Sequence, residues 1–297
     1  MLEITTILEA CETAPTRRAY RRQLEQFEQW LSGGEVNYGA VIAYRAHLQE
    51  QGLSPQNINQ ALAAIRFWAT GALGREWITP EVKAGIFAVK NLKIKGRKLG
   101  QWLPIEEAQR LINKPPTTAI GQRDRAMLAL LIGAGLRRSE VASLQVKHFE
   151  QRDGGNGVMR WMLIGITGKH GRTRNVPIAD WVRGIVDKWL DVARIRNGSA
   201  FRRVLKSEPL TLGKDALTPQ AIYLAVQRYG ADIGRKQIAP HDLRRTFARL
   251  AFEGEASLKQ IQFALGHANQ TTTEQYVNAE QDMQLAPGDV LGINVEV

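Results

Sequence analysis

The chain has 297 residues, of which 44% are apolar, so wholesale disorder is excluded and there is room for two domains with at least one sizeable core. Lys and Arg number 40 against 29 Asp and Glu, giving a charge of +11 and a pI near 9.9, which points to a polyanionic partner such as nucleic acid. A single cysteine, Cys11, excludes an intramolecular disulfide or a cysteine-built zinc site, the apolar run Met127–Leu136 is too short to cross a bilayer, and Glu3 and Glu9 precede any basic residue, so neither membrane span nor signal peptide is read and a cytoplasmic location is expected.

Residues 1–90 read as a small bundle of four short helices. After Pro15-Thr16, Tyr20, Leu24, Phe27, Trp30 and Leu31 fall at helical spacing, and Ser32-Gly33-Gly34 stops the run. A second periodicity passes through Val41, Ile42, Tyr44 and Leu48 to Gly52. Ser54-Pro55 opens a third with Ile58, Leu62, Ile65 and Trp68, and Pro80 opens a shorter fourth to about Val89. Residues 91–101 differ: Lys93, Lys95, Arg97 and Lys98 surround Gly96 and Gly100 without helical periodicity, as in a flexible basic linker.

From residue 102 the pattern is mixed. Helices are expected over 105–112, 124–132 and 137–144, the second stopped by Gly133-Ala134-Gly135. Residues 158–166 are rich in β-formers, Gly168-Lys169-His170-Gly171 is a turn signal, and 174–178 can return as a strand. With 145–149 as a third strand, this makes a small antiparallel sheet. The remainder reads as helical, over 181–195, 219–233, 242–252, 258–265 and 272–277. The expected fold class is therefore mainly α with a small antiparallel β-sheet: a helical domain (1–90), a basic linker (91–101) and a mixed domain (102–297) with a tail at 279–297.

Five segments stand out: Gly135-Leu136-Arg137-Arg138-Ser139-Glu140, Thr167-Gly168-Lys169, His241-Asp242-Leu243-Arg244, Leu265-Gly266-His267, and Tyr276. Each is weak alone, since an isolated His-x-x-Arg or a turn lysine is usually structural. Their order and spacing are specific: His267 precedes Tyr276 by nine residues, and His241 precedes His267 by 26. Together they resemble the tyrosine recombinase (phage integrase) family, over roughly 102–278, and the helical N-terminal region more weakly resembles that family's core-binding domain. The length leaves no room for the extra arm-binding domain of many phage integrases, so a Xer-like or simple mobile-element member is expected.

The chemistry suits the residue types. Displacement at a phosphodiester concentrates negative charge on the nonbridging oxygens, and planar, permanently charged guanidiniums can bind them in pairs. Arg137 and Arg244 are assigned to clamp the scissile phosphate. His241, one helical turn before Arg244, would manage protons nearby or, equally, help start a helix at Pro240. The resemblance implies that Tyr276 is the nucleophile, that Lys169 protonates the leaving 5′ oxygen, and that His267 donates to a phosphate oxygen. His170, Arg172 and Arg174 are basic competitors for the role of Lys169. Of the other five tyrosines none has Leu-Gly-His nine residues upstream. Glu140, one turn after Arg137, is expected to orient it. Arg245 stands where the family often has His, outside the six catalytic positions.

Arg17, Arg18, Arg21 and Arg22 form two pairs one turn apart, which read as DNA contacts in preference to a solvated face paired with Glu25 and Glu28. The linker cations are expected to cross the DNA backbone. No acidic cluster has metal-ligand spacing, so no metal and no other cofactor is expected. The resemblance implies double-stranded DNA with inverted-repeat core sites, a homotetramer on DNA, and exchange through a 3′-phosphotyrosyl intermediate and a Holliday junction. A type IB topoisomerase-like nicking-closing enzyme and a non-catalytic DNA-binding regulator on the same scaffold are the alternatives. Beyond Pro287-Gly288, Leu291, Ile293, Val295 and Val297 alternate as a half-buried strand would, and two readings of 289–297 stand side by side: a strand that adds to a sheet edge, or a frayed tail.

Overall fold

The computed structural model describes residues 2–94, 101–154, 157–168, 171–207 and 209–266. The expected strand at 289–297 and the helix at 272–277 lie outside them. The chain divides into two compact units, Met1–Lys98 and Leu99–Val297. Among the described residues no helix is long and apolar enough to cross a membrane.

Unit 1 is helical, with α1 (Ile4–Leu8), α2 (Ala14–Leu31), α3 (Tyr38–Glu50), α4 (Pro55–Leu73) and α5 (Pro80–Ala88). The starts follow local chemistry. Thr13, Asn37, Ser54 and Thr79 each accept a backbone N–H of the first turn, and a proline sits in the first turn of α2, α4 and α5 where no donor is needed. Leu24 and Phe27 of α2, Tyr44 of α3, and Ile58, Leu62 and Ile65 of α4 close the core. The first helix corrects the expected four-helix bundle. Its single turn is too short to show periodicity, yet Ile7 and Leu8 are buried, and the Leu2 carbonyl accepts from the Trp68 indole at 2.7 Å.

Unit 2 runs α6 (Ile105–Asn113), α7 (Ala119–Gly133), α8 (Arg138–Ser143), β1 (Phe149–Asp153), β2 (Met159–Thr167), β3 (Thr173–Pro177), α9 (Asp180–Val192), β4 (Arg202–Ser207), β5 (Leu210–Ala216), α10 (Pro219–Asp232), α11 (Pro240–Glu253) and α12 (Leu258–Leu265). The class is mainly α with small antiparallel sheets, one in the order β1-β2-β3 and a separate hairpin β4-β5. Two expectations are corrected. Residues 145–149 are not a strand: Val146–His148 is a 3₁₀ turn, held by His148 Nδ1 accepting the Gln145 N–H at 3.2 Å, and β1 starts only at Phe149. The hairpin β4-β5 adds a second small sheet where one was expected; it falls between the helices expected at 181–195 and 219–233, in a stretch assigned no element, because its burial does not alternate cleanly along β5.

The core of unit 2 centres on α7, whose run Ala126–Ile132 is buried throughout against Val182, Val186 and Trp189 of α9. A helix apolar on every side must be covered on every side. Gly135, just beyond it, has φ +60°, and a Cβ there would lie 2.4 Å from the Phe247 ring. Gly135→Ala is expected to cost about 1–2 kcal/mol for the left-handed backbone and about 1–3 kcal/mol for overpacking. Urea denaturation measures the sum, and a loss under about 1 kcal/mol would contradict it.

Candidate functional site

Arg137 is the N-cap of α8, with an extended backbone, and no side-chain oxygen of its own can cap the helix. Glu140, in the third helical position, reaches back instead: its Oε2 accepts the Arg137 backbone N–H at 2.8 Å and its Oε1 accepts Arg137 Nη1 at 2.7 Å. The same carboxylate receives a two-point contact from Arg174 of β3, Nη1 to Oε1 and Nη2 to Oε2, both at 2.9 Å. Arg174 Nε donates to the Ala264 carbonyl at the end of α12, at 2.7 Å. Burial pushes the Glu140 carboxyl up, but the hydrogen bonds from Arg174 and from the Arg137 backbone, with the charge of Arg174, outweigh it and hold the carboxyl below its ordinary range.

Arg244, on α11, is 1% exposed. Its Nη1 donates to the Gly135 carbonyl at 2.6 Å and lies 4.0 Å from Glu140 Oε2, and its Nη2 donates to the Leu265 carbonyl. The last two carbonyls of α12 are thus each held by a guanidinium, where the helix end is partially negative. α11 starts as α8 does: Asp242 in the third position accepts the Ala239 N–H at 3.0 Å, and Pro240 supplies the first residue. His241 follows. Arg137, His241 and Arg244 line one cavity of about 400 Å³, with Arg138, Tyr223 and Pro240. His241 is exposed. Desolvation by the surrounding protein, then the charges of Arg245, Arg244 and Arg137, hold its pKa below the usual 6.5 against the opposing pull of Asp242. The site therefore presents a neutral imidazole beside guanidiniums, which suits an anion that needs both charge and proton transfer.

The structure brings together Arg137, Glu140, His241 and Arg244. Lys169, His267 and Tyr276 lie outside the described residues, as do Lys95, Arg97 and Lys98. Lys93 is exposed. The backbone just before it is pinned to unit 1: Asn59 pairs with both backbone groups of Leu92, Arg45 Nη1 donates to the Lys90 carbonyl at 2.9 Å, and Arg66 donates to the Val89 carbonyl and to Asn91 Oδ1. The four arginines of α2 divide. Arg17 donates to the Cys11 carbonyl at 2.9 Å and Arg21 to the Thr5 hydroxyl at 3.4 Å, while Arg18 is exposed and Arg22 lines a groove with Gln23, Gln26 and Gln60. Glu28 accepts the Leu2 N–H at 2.5 Å.

Sequence reasoning missed Arg174 as part of this cluster, placing it among the competitors for the hairpin role. A signal was present. Along β3 exposure alternates, and Arg174 shares the covered face with Val176. A cation on a covered face requires an anion.

A family model described as phage integrase family matches residues 101–283. The chain belongs to that family. Within it, the tyrosine recombinase XerC of Xylella fastidiosa is 30% identical over 276 residues, covering 89% of this chain and 86% of its own. The tyrosine recombinase XerA of Thermococcus kodakarensis is 30% identical over 275 residues, covering 92% and 88%. The Tn1549 transposon integrase, solved in complex with circular intermediate DNA, is 18% identical with a TM-score of 0.68 and 95% of both chains covered, a likeness of fold. Among the described residues no group of three His, Cys, Asp or Glu is placed to hold a metal ion.

Proposed function

We infer that the chain is a tyrosine-type site-specific DNA recombinase. The observation that carries this reading is the meeting of Arg137, His241 and Arg244 at one cavity, within the region matched by the integrase family. XerC and XerA, similar over most of their length, are named tyrosine recombinases. In the proposed reaction the Tyr276 oxygen attacks the scissile phosphorus, a 3′-phosphotyrosyl bond forms, and the bond to the 5′ oxygen breaks. Lys169 gives that oxygen its proton. The 5′ hydroxyl then attacks the phosphotyrosine of the other duplex and releases Tyr276. The bond energy is conserved at each step, so no nucleotide hydrolysis is needed.

Arg137 and Arg244 stabilise the charge on the nonbridging oxygens, and His267 donates a further hydrogen bond. Such donors act where charge develops in the transition state, which is where stabilisation raises the rate. Unit 1 takes the role of the core-binding domain, with Arg18, Arg22 and Lys93 available to phosphates, and unit 2 that of the catalytic domain. Four protomers on two inverted-repeat core sites, acting in pairs through a Holliday junction, complete the proposal, with the cytoplasm as its place.

The test is covalent capture on a nicked suicide duplex carrying inverted-repeat core DNA from beside the gene. A protein–DNA adduct is expected, at the same rate in EDTA, because side-chain cations supply the charge. Loss of the adduct in EDTA with recovery in Mg²⁺ would overturn the mechanism.

His241 adds a pH dependence. It is neutral in the free protein at pH 7, and a phosphate in the cavity raises its pKa, so the complex binds a proton that the free protein does not. Affinity for core DNA is expected to rise as pH falls through the ordinary imidazole value of 6.5, by at most about tenfold per pH unit for one proton. Fluorescence anisotropy measures it. His241→Gln should flatten the profile, and an unchanged slope in that variant would remove His241 from the phosphate.

A further inference from the structure

We propose that Arg174 is a positioning residue for strand cleavage, which keeps the Arg137 guanidinium available to the phosphate by occupying Glu140. The inference rests on the reading of Arg137 as a ligand of the scissile phosphate.

Arg174 is held on three sides. A bulge in β2 between Leu163 and Ile166, with Gly165 at φ +68°, keeps Leu163 and Ile166 on one face and sets Ile166 opposite Arg174. The Arg174 side chain, 11% exposed, meets the Glu140 carboxylate, 2% exposed, through both Nη atoms, and meets α12 through Nε. The fit is close: a Cβ at Gly266 would lie 2.9 Å from Arg174 Cδ, and one at Gly168 would lie 3.4 Å from Arg137 Nη1 and 3.5 Å from Arg174 Nη1. Arg174 therefore ties together β3, the start of α8 and the end of α12.

The consequence for Arg137 comes from how the carboxylate is shared. Oε1 accepts Nη1 of both arginines, and Oε2 accepts Arg174 Nη2 and the Arg137 backbone N–H. A guanidinium beside an unoccupied carboxylate prefers the two-point fork. Arg174 fills that fork. Arg137 is left with a one-point contact through Nη1, at 30% side-chain exposure, on the rim of the cavity. Without Arg174, Glu140 is free to draw Arg137 into the fork and away from the phosphate. Lysine at 174 would keep the charge and one contact but could not occupy both oxygens.

The experiment compares two scissile groups in the suicide duplex: the ordinary phosphate, and a methylphosphonate in which methyl replaces one nonbridging oxygen and removes the negative charge. Wild type, Arg174→Lys, Arg174→Gln and Arg137→Ala are measured as full chains for half-site affinity and for the rate of covalent adduct formation. On the ordinary phosphate the Arg137 and Arg174 variants are expected to be slower by on the order of 10², with half-site affinity within about threefold of wild type. On the neutral group the deficit of each should shrink to within about tenfold, because a clamp for charge matters less where there is none. A merely structural role would slow both substrates equally. If Arg137→Ala recovers on the neutral group and the Arg174 variants do not, the inference is wrong while the reading of Arg137 stands. If Arg137→Ala fails to recover, that reading falls and the inference with it. Should Arg174→Gln lose its fold by circular dichroism, Arg174→Lys decides alone, and cleavage by it at the wild-type rate on the ordinary phosphate overturns the proposal.

Discussion

Tyr276→Phe is expected to abolish covalent capture of the suicide duplex while leaving DNA affinity within about twofold of wild type. The substitution removes one oxygen, the atom proposed to form the new bond to phosphorus, and leaves the ring and every charge in place. Affinity for DNA comes mainly from cations meeting phosphates, and none is altered. Loss of a nucleophile in an enzyme whose other groups act only through it costs on the order of 10⁶ in rate, which puts the variant below detection. A phenol is a poor nucleophile at its ordinary pKa of about 10, so the proposed attack requires nearby cations that favour the phenolate. A covalent adduct formed by Tyr276→Phe, mapped by peptide digestion to another side chain, would move the nucleophile elsewhere and dismantle the assignment built on the spacing from His267.

What the sequence disclosed, and what it hid, follows from the range of each interaction. Helix α12 was legible to its ends because Ser257 caps it, apolar residues recur at helical spacing and Gly266 stops it in the left-handed conformation. Helix α7 was legible as an apolar run, although its start was set five residues too late: the helix begins at Ala119, capped by Thr118, ahead of the polar stretch Gln122–Arg125 that hid it. The β4-β5 hairpin was missed because its covered side is short: among its described residues only the cross-strand pair Val204 and Leu212 packs on the core, and the charged residues on both strands break any longer alternation. In the site, the family motif named Arg137, His241 and Arg244, and their spacing to one another along the chain carried the identification. The motif could not disclose what neutralises them. Glu140 was read as the companion of Arg137 alone. Its tie to Arg174 and its approach to Arg244 exist only after β3 and α11 have packed on α8, and no local pattern encodes that.

Glu140→Ala is accordingly expected to destabilise the protein by about 3–5 kcal/mol, the cost of removing one member of a buried ion pair and leaving its partners without counter-charge. Glu140 is 3% exposed, and Arg174 and the fully covered Arg244 would both face the vacated space. The Arg137 N–H at the start of α8 would also lose its acceptor. Glu140→Gln keeps an acceptor of similar shape but not the charge, and its loss should be smaller. Urea denaturation at pH 7 measures both, and a shift below about 1 kcal/mol for Glu140→Ala would show that the arginines find compensation elsewhere. The pH dependence gives a second reading. The Glu140 carboxyl is held below its ordinary value of 4.5 in the folded chain, so the folded state binds fewer protons than the unfolded state. Its stabilisation is complete above pH 4.5 and is lost as pH falls through the depressed folded value. The gap in stability between wild type and Glu140→Ala should therefore be full at pH 7 and shrink as pH drops below 4.5. A gap that stayed constant across that interval would mean that cavity formation, and not the loss of a charge shared by three arginines, is what destabilises the variant.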